Sequence, residues 1–216
     1  MDIAIIANGE YPRSGYPRYL IEHADFAVCC DAAADTYWRH TGRLPHAVVG
    51  DLDSLSSQAR SRFHDRIIHI ADQDTNDLTK AFGYVMDNIV TDHSDVAIHI
   101  LAATGRREDH AVANLSLLME YERRYGLSGK GIRLEMVSDW STMFPVTDSC
   151  SFDCGKDRPV SILTPDPSLR IASQGLQWPL DNVVFDNWWK ATLNRATSDT
   201  VSLTFSHPSI ALIVLG

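Results

Sequence analysis

Ala47-Val48-Val49-Gly50-Asp51-Leu52-Asp53-Ser54 is a short apolar run that stops at a glycine and delivers two carboxylates into the turn that follows. The same arrangement recurs across the first half of the chain. Residues 3–7 run into Asn8-Gly9, residues 26–30 into Asp31, residues 67–70 into Asp72, Asp74 and Asp77, and residues 96–103 towards Asp109. Short β-rich runs that alternate with helical stretches as far as about residue 125 predict a mainly parallel sheet flanked by helices, an α/β domain. In such a sheet the polar turns gather at the carboxyl ends of the strands, where ligands bind. The predicted result is an acidic rim suited to a hard divalent cation and an anionic ligand.

Within the 47–54 stretch, Gly50 permits tight backbone geometry and Asp51 and Asp53 flank Leu52. Read alone, this is equally a turn in which Ser54 or Asp53 caps the next helix. The second acidic turn, Asp72-Gln73-Asp74-Thr75-Asn76-Asp77, tips the balance, because two neighbouring acidic loops repel unless neutralised. Mg2+ bound to phosphate oxygens neutralises such a pair while retaining several waters. Leu78, Ala81, Phe82, Val85 and Ile89 recur at helical spacing and predict an amphipathic helix over residues 76–90, capped by Asp74 with Asp77 three residues on. Lys80 lies one helical turn beyond Asp77, and Arg106 and Arg107 lie in the loop at 104–110. All three offer cations to phosphate oxygens, although any one arginine serves as well for surface solubility. A second helix is predicted from near Asp109, itself a candidate N-cap, with Val112, Leu115, Leu118 and Met119 on one face.

After residues 126–131 the helical periodicity gives way to β-rich runs at 132–137, 142–146, 160–163, 169–172, 201–205 and 210–215, which predict an all-β sandwich. The 216 residues fit one large domain or two small ones, and 44% hydrophobic content suffices for packed cores. Asp and Glu number 28 against 19 Lys and Arg, and the resulting formal net charge of −9 argues against a broad nucleic-acid-binding surface. No apolar stretch approaches the roughly 20 residues needed to span a bilayer, and no basic region precedes the first apolar run. A cytoplasmic protein without a membrane partner is expected. Cys29 and Cys30 are adjacent in a predicted strand and point to opposite faces, while Cys150 and Cys154 lack a second ligand pair for zinc, so all four read as reduced structural thiols. The chain carries neither a Walker-type glycine loop nor a Gly-x-Gly-x-x-Gly fingerprint nor a Gly-x-Ser-x-Gly elbow, which disfavours a P-loop kinase, a dinucleotide dehydrogenase and a serine hydrolase.

Taken in order, the motifs resemble those of the thiamine pyrophosphokinase family over nearly the whole chain. Cys30-Asp31-Ala32-Ala33-Ala34 resembles the family's Asp-Gly-Gly-Ala turn, and residues 45–54 resemble its Pro-Asp-x-x-x-Gly-Asp-x-Asp-Ser element. Residues 72–80 are similar to Asp-x-Asp-x-Thr-Asp-x-x-Lys, and residues 103–114 to Gly-Gly-Arg-x-Asp-His-x-x-x-Asn. In the second half, Gly175-Leu176-Gln177-Trp178-Pro179-Leu180 resembles Gly-Leu-x-Trp-x-Leu, and Thr197-Ser198-Asp199 approximates a Ser-Thr-Ser-Asn end. The chain departs from the pattern where Ala32 and Ala33 replace glycines, Asn76 replaces Thr, Arg106 replaces the second Gly, and Ala196 and Asp199 alter the last motif.

The resemblance implies an α/β nucleotide-binding catalytic domain over residues 1–128 and a β-sandwich thiamine-binding and dimerisation domain over residues 129–216. It implies a homodimer with thiamine sites at the subunit interface, and transfer of an intact pyrophosphoryl group from ATP to the thiamine hydroxyl with Mg2+, giving thiamine diphosphate and AMP. Asp51, Asp53 and Asp77 are then expected to organise Mg2+ and the reacting hydroxyl, with Asp77 or Asp53 as proton acceptor. Asp31, Asp74, Lys80, Arg107, Asp109 and Asn114 are expected at the nucleotide. Trp178, Thr197 and Ser198 are expected at thiamine, Trp178 by stacking on the flat ring; read alone, Trp178 suits sandwich-core packing equally. Two rival readings use the same residues: a metal-dependent phosphoester or pyrophosphate hydrolase, and a non-catalytic nucleotide or thiamine sensor.

Overall fold

Apolar runs rich in Ile, Val and Ala form the buried strands of the first unit because both faces of a parallel sheet are covered, so hydrophobicity is continuous rather than alternating. The structure, a computed structural model, describes residues 1–13, 15–90 and 95–216. The chain divides into two units, residues 1–117 with 129–139, and residues 118–128 with 140–216. The first contains strands β1 (Asp2–Ile6), β2 (Phe26–Cys30), β3 (Ala47–Gly50), β4 (Ile67–His69), β5 (Val96–Leu101) and β6 (Ile132–Val137). These pair parallel throughout, in the order β6-β5-β1-β2-β3-β4. Helices α1 (Gly15–His23), α2 (Ala33–Thr41), α3 (Ser57–Arg62) and α4 (Asp77–Asn88) intervene, and α5 (Glu108–Tyr125) follows β5. Ala4, Ile6, Cys29 and Val48 of the sheet pack with Ile21, Tyr37 and Phe63 in one core.

The chain moves outward from β1 through β2, β3 and β4, then returns to place β5 on the other side of β1. That reversal creates a topological switch point at the carboxyl ends of β1 and β5, where open α/β sheets bind ligands. Here Gly9 N donates to Ala102 O at 2.6 Å and Glu10 N to Thr104 O at 2.8 Å. A Cβ on Gly9 would lie 2.4 Å from Ala102 O and 2.5 Å from Thr104 O, so only glycine allows the two loops to close on one another.

Helix α4 buries Leu78, Ala81, Phe82 and Val85, as the spacing predicts, but its N-cap is Asn76 rather than Asp74. Asn76 Oδ1 accepts from Thr79 N at 2.8 Å, whereas the Asp74 amide is spent on Asp72 Oδ1 at 2.9 Å inside the preceding turn. In α5, Val112 is exposed and does not share the buried face of Leu118 and Met119. Strand β6 also departs from the sequence expectation: instead of joining the sandwich, it pairs parallel with β5 from Val96 opposite Ile132 to Leu101 opposite Val137. The physical reason is the long helix before it, which supplies the crossover that a parallel neighbour requires.

The second unit contains β7 (Thr142–Val146), β8 (Cys150–Asp153), β9 (Pro159–Leu163), β10 (Ile171–Gln174), β11 (Asn194–Arg195), β12 (Thr200–Phe205) and β13 (Ala211–Leu215). They pair antiparallel in two sets, β11-β9-β13-β7 and β10-β12-β8. Val160, Ile162 and Ile213 of the first set share a core with Ile171, Val201 and Leu203 of the second. Strands β8 and β11 carry no apolar run that would announce them. Among the described residues, no helix is long and apolar enough to cross a membrane.

Candidate active site

Three strands of the α/β unit lead into residues with left-handed backbone: Asp31 (φ 40) after β2, Leu52 (φ 69) after β3 and Ala102 (φ 53) after β5. Side chains resist this conformation, which persists only where the surroundings over-determine it, and functional turns are where it collects. At Leu52 the determinants are visible. Its side chain is buried in the core, and the Arg60 guanidinium donates to the carbonyls of both Leu52 and Leu55, the latter at 3.3 Å. Arg60 thereby braces the turn that carries Asp51 and Asp53, a role that no sequence motif signals.

Gly50 closes β3 beneath the acidic residues. A Cβ there would stand 3.1 Å from Asp31 Cβ and 3.2 Å from Asp77 Oδ1, so the missing side chain lets carboxylates from β2 and α4 approach over the end of β3. Asp31, Asp51 and Asp77 each offer an oxygen, and these oxygens lie within 4.8 Å of one another. Asp31 is only 2% exposed; its Oδ2 accepts from Ser54 N at 3.1 Å, while its Oδ1 is buried with no hydrogen-bond partner. Burial pushes the Asp31 carboxyl up from the usual range; the Ser54 amide opposes this, and the charges of Asp77 and Asp51 add to it. Three carboxylates with hard oxygen donors, one of them carrying a buried oxygen without a hydrogen-bond partner, fit a divalent cation.

Lys80 balances part of this charge. Its Nζ is buried and lies 3.2 Å from both Asp51 Oδ2 and Asp77 Oδ1. Burial works against the ammonium, but the hydrogen bonds to Asp77 and Asp51 outweigh it and its pKa is raised. The Asp51 pKa is lowered, first by the Asp53 amide at 3.2 Å and then by Lys80. Asp53 therefore meets Asp51 through its backbone, and its own carboxylate is not in the converging group. Asp74 is exposed in the next turn. That turn is organised by Asp72, whose carboxyl is held low by the Thr75 hydroxyl and then by the Asp74 amide.

A cavity of about 530 Å³ opens at the switch point, bounded by Asn8, Asp31, Asp77, Arg106, Arg107 and Asn114 among others. Asn114 Nδ2 donates to Ala103 O at 2.7 Å and ties α5 to the loop after β5. Arg107 grips Asp109 with two nitrogens, Nε at 3.1 Å and Nη2 at 2.5 Å, which raises the Arg107 pKa and lowers that of Asp109. Asp109 thus lies within the first turn of α5, paired with Arg107.

In the second unit, the two stretches singled out in the sequence are neighbours. Thr197 N donates to Gly175 O at 2.8 Å, Leu176 and Ala196 form an antiparallel bridge, and Ser198 Oγ donates to Thr200 O at 2.7 Å. The Trp178 backbone is fixed by Asn194, which accepts from its amide at 3.2 Å and donates to its carbonyl at 2.7 Å. Trp178 itself is 55% exposed and therefore free of the sandwich core.

A family profile described as the thiamin pyrophosphokinase catalytic domain matches residues 17–127, and one described as the thiamin pyrophosphokinase substrate-binding domain matches residues 142–210. Thiamine pyrophosphokinase 1 of Oryza sativa subsp. japonica is 24% identical, over 98% of this chain and 86% of that protein. Thiamine pyrophosphokinase 3 of the same plant is 27% identical, over 82% of this chain and 72% of the relative. A crystal structure of thiamine pyrophosphokinase from Bacillus subtilis has a TM-score of 0.77 at 18% identity, covering 99% of this chain and 98% of that one, a likeness of fold.

Proposed function

The chain belongs to the thiamin pyrophosphokinase family, and from that premise we propose that its acidic rim serves the transfer of a pyrophosphoryl group from ATP to the hydroxyl of thiamine, yielding thiamine diphosphate and AMP. The observation that carries this reading is the convergence of Asp31, Asp51 and Asp77 beside the switch-point cavity. Asp31, Asp51 and Asp77 would hold Mg2+, which when bound neutralises phosphate charge. Asp53 orients Asp51 through its amide.

Transfer of this kind depends on alignment and charge stabilisation and needs no covalent enzyme intermediate. The thiamine oxygen attacks the β-phosphorus, the bond from that phosphorus to the oxygen bridging the α-phosphate breaks, and AMP leaves with that oxygen. We assign the hydroxyl proton to Asp77, which lines the cavity, in preference to Asp53. Arg107 and Asn114 face the nucleotide from the same wall, Asp109 holds Arg107, and Asp74 shapes the Asp72 turn through its amide. For thiamine, we assign Trp178 as the stacking ring and Thr197 and Ser198 as polar neighbours. Trp178, Trp188, Trp189 and Leu193 are exposed apolar side chains of the kind a homodimer contact would cover, and four free cysteines suit the reducing cytoplasm.

Incubation with ATP, Mg2+ and thiamine tests the reaction. AMP and thiamine diphosphate should form in equal amounts and only with thiamine present. Release of phosphate without thiamine would establish a hydrolase instead, and tight binding without product a sensor. Sedimentation of the active species tests the dimer.

A further inference from the structure

We infer that Arg106 clamps the phosphate chain of the nucleotide, an assignment that rests on the ATP-dependent reaction proposed above. The cations around the rim differ in how their charge is matched. Lys80 is buried between Asp51 and Asp77. Arg107 is engaged by both oxygens of Asp109. A neighbouring cavity of about 600 Å³, lined by Tyr11, Arg13, Arg18, His40, Gly105 and Arg106 among others, contains two more arginines, but Arg13 pairs with Glu10 at 2.5 Å and Arg18 with Glu22 at 3.5 Å.

Arg106 alone lines both cavities, and among the described residues no carboxylate meets it. Its Nη1 donates to the Asn8 carbonyl at 2.9 Å and to Asn8 Oδ1 at 3.3 Å, both neutral acceptors. Those contacts hold one edge of the guanidinium against the loop after β1, at the switch point. Among the described residues no carboxylate forms an ion pair with it, and Nε and Nη2 remain for a ligand. A guanidinium held along one edge is pre-organised to grip phosphate oxygens with the other, because its planar fork matches their spacing. A triphosphate chain whose reacting end lies at Asp31, Asp51 and Asp77 would find in Arg106 the unmatched cation of the same cavity wall.

The test is direct titration of MgATP, without thiamine, into the wild type, Arg106→Gln and Arg106→Lys, alongside melting temperatures and the thiamine KM. Loss of one charge-assisted contact should weaken ATP binding about tenfold in the Gln variant. Lys should restore part of the loss, the thiamine KM should hold, and ATP affinity should depend less steeply on salt in the Gln variant than in the wild type. Wild-type ATP affinity in the Gln variant would overturn the clamp. So would weakened binding that accompanies a lowered melting temperature and is not rescued by Lys, since that marks a structural role. The two readings fail separately. A wild type that binds ATP through Arg106 but forms no thiamine diphosphate overturns the reaction, whereas product formation with an unaffected Gln variant overturns the clamp.

Discussion

Lys80 Nζ lies 3.2 Å from Asp51 Oδ2, joining side chains 29 residues apart in the chain. The same ammonium is equally close to Asp77, so it is the internal counter-ion of the acidic rim. Replacing Lys80 with Met should leave the carboxylates facing one another without relief, lower the melting temperature in the absence of divalent cations, and reduce turnover about tenfold or more. Added Mg2+ should recover more stability in this variant than in the wild type. Melting curves with and without Mg2+ check both points, and an unaltered response to Mg2+ would dismiss the counter-ion role.

Asp51→Asn and Asp77→Asn each remove a charge from the converging oxygens while preserving shape. Turnover should fall on the order of a hundredfold or more, with little change in fold. Product formation at the wild-type rate in either variant would take that residue out of the mechanism. Circular dichroism beside the assay separates the chemistry from misfolding.

The Asp31 carboxyl is raised, chiefly by burial. Its folded-state pKa lies above its unfolded one, so the native state binds the proton more tightly and ionised Asp31 costs stability. That cost is absent below the ordinary carboxylate pKa and develops as pH rises through the raised value. Asp31→Asn should therefore melt higher than the wild type near neutral pH without Mg2+, with the gain fading in acid, and should lose turnover. Melting temperatures from about pH 4 to pH 8 test the sign.

Asn76 caps the helix that carries Asp77 and Lys80. Asn76→Ala should cost about 1 kcal/mol, and Asn76→Asp should retain most of the cap. Urea unfolding measures the loss. Because the cap fixes the first turn of α4, the Ala variant should also raise the requirement for MgATP.

Trp178 is half exposed while its backbone is tied to Asn194. Trp178→Ala should raise the thiamine KM severalfold, consistent with loss of one aromatic contact, and leave both the ATP requirement and the melting temperature near wild type. Equal effects on both substrates would return Trp178 to a structural role.

The elements most legible in the sequence were those set by local rules. Strands β1 to β5 followed from apolar runs ending in polar turns, and α4 from the spacing of Leu78, Ala81, Phe82 and Val85. Asp77 and Lys80 were readable together because three residues along a helix place both on one face. Competition was harder to read. Asp74 and Asn76 are both capable caps, and the choice fell to Asn76, whose Oδ1 accepts from Thr79 N while Asp74 belongs to the preceding turn. β6 looked like a sandwich strand, since an apolar run carries no mark of the neighbour it will pair with.

The chain alone determined the alternation of strand, acidic turn and helix, and with it a rim of carboxylates at one sheet edge, because hydrophobic period and turn chemistry act over a few residues. It did not decide which carboxylates meet. Asp53, two residues from Asp51, stays outside the converging group, while Asp31, twenty residues away in the preceding strand turn, joins it. Nor did it decide which of the arginines lining the two cavities, among the described residues, meets no carboxylate. Those outcomes depend on β2 lying beside β3, on the missing side chain at Gly50 that lets Asp31 and Asp77 approach, and on which carboxylate lies beside each cation. They are distances through space, which only the packed sheet sets.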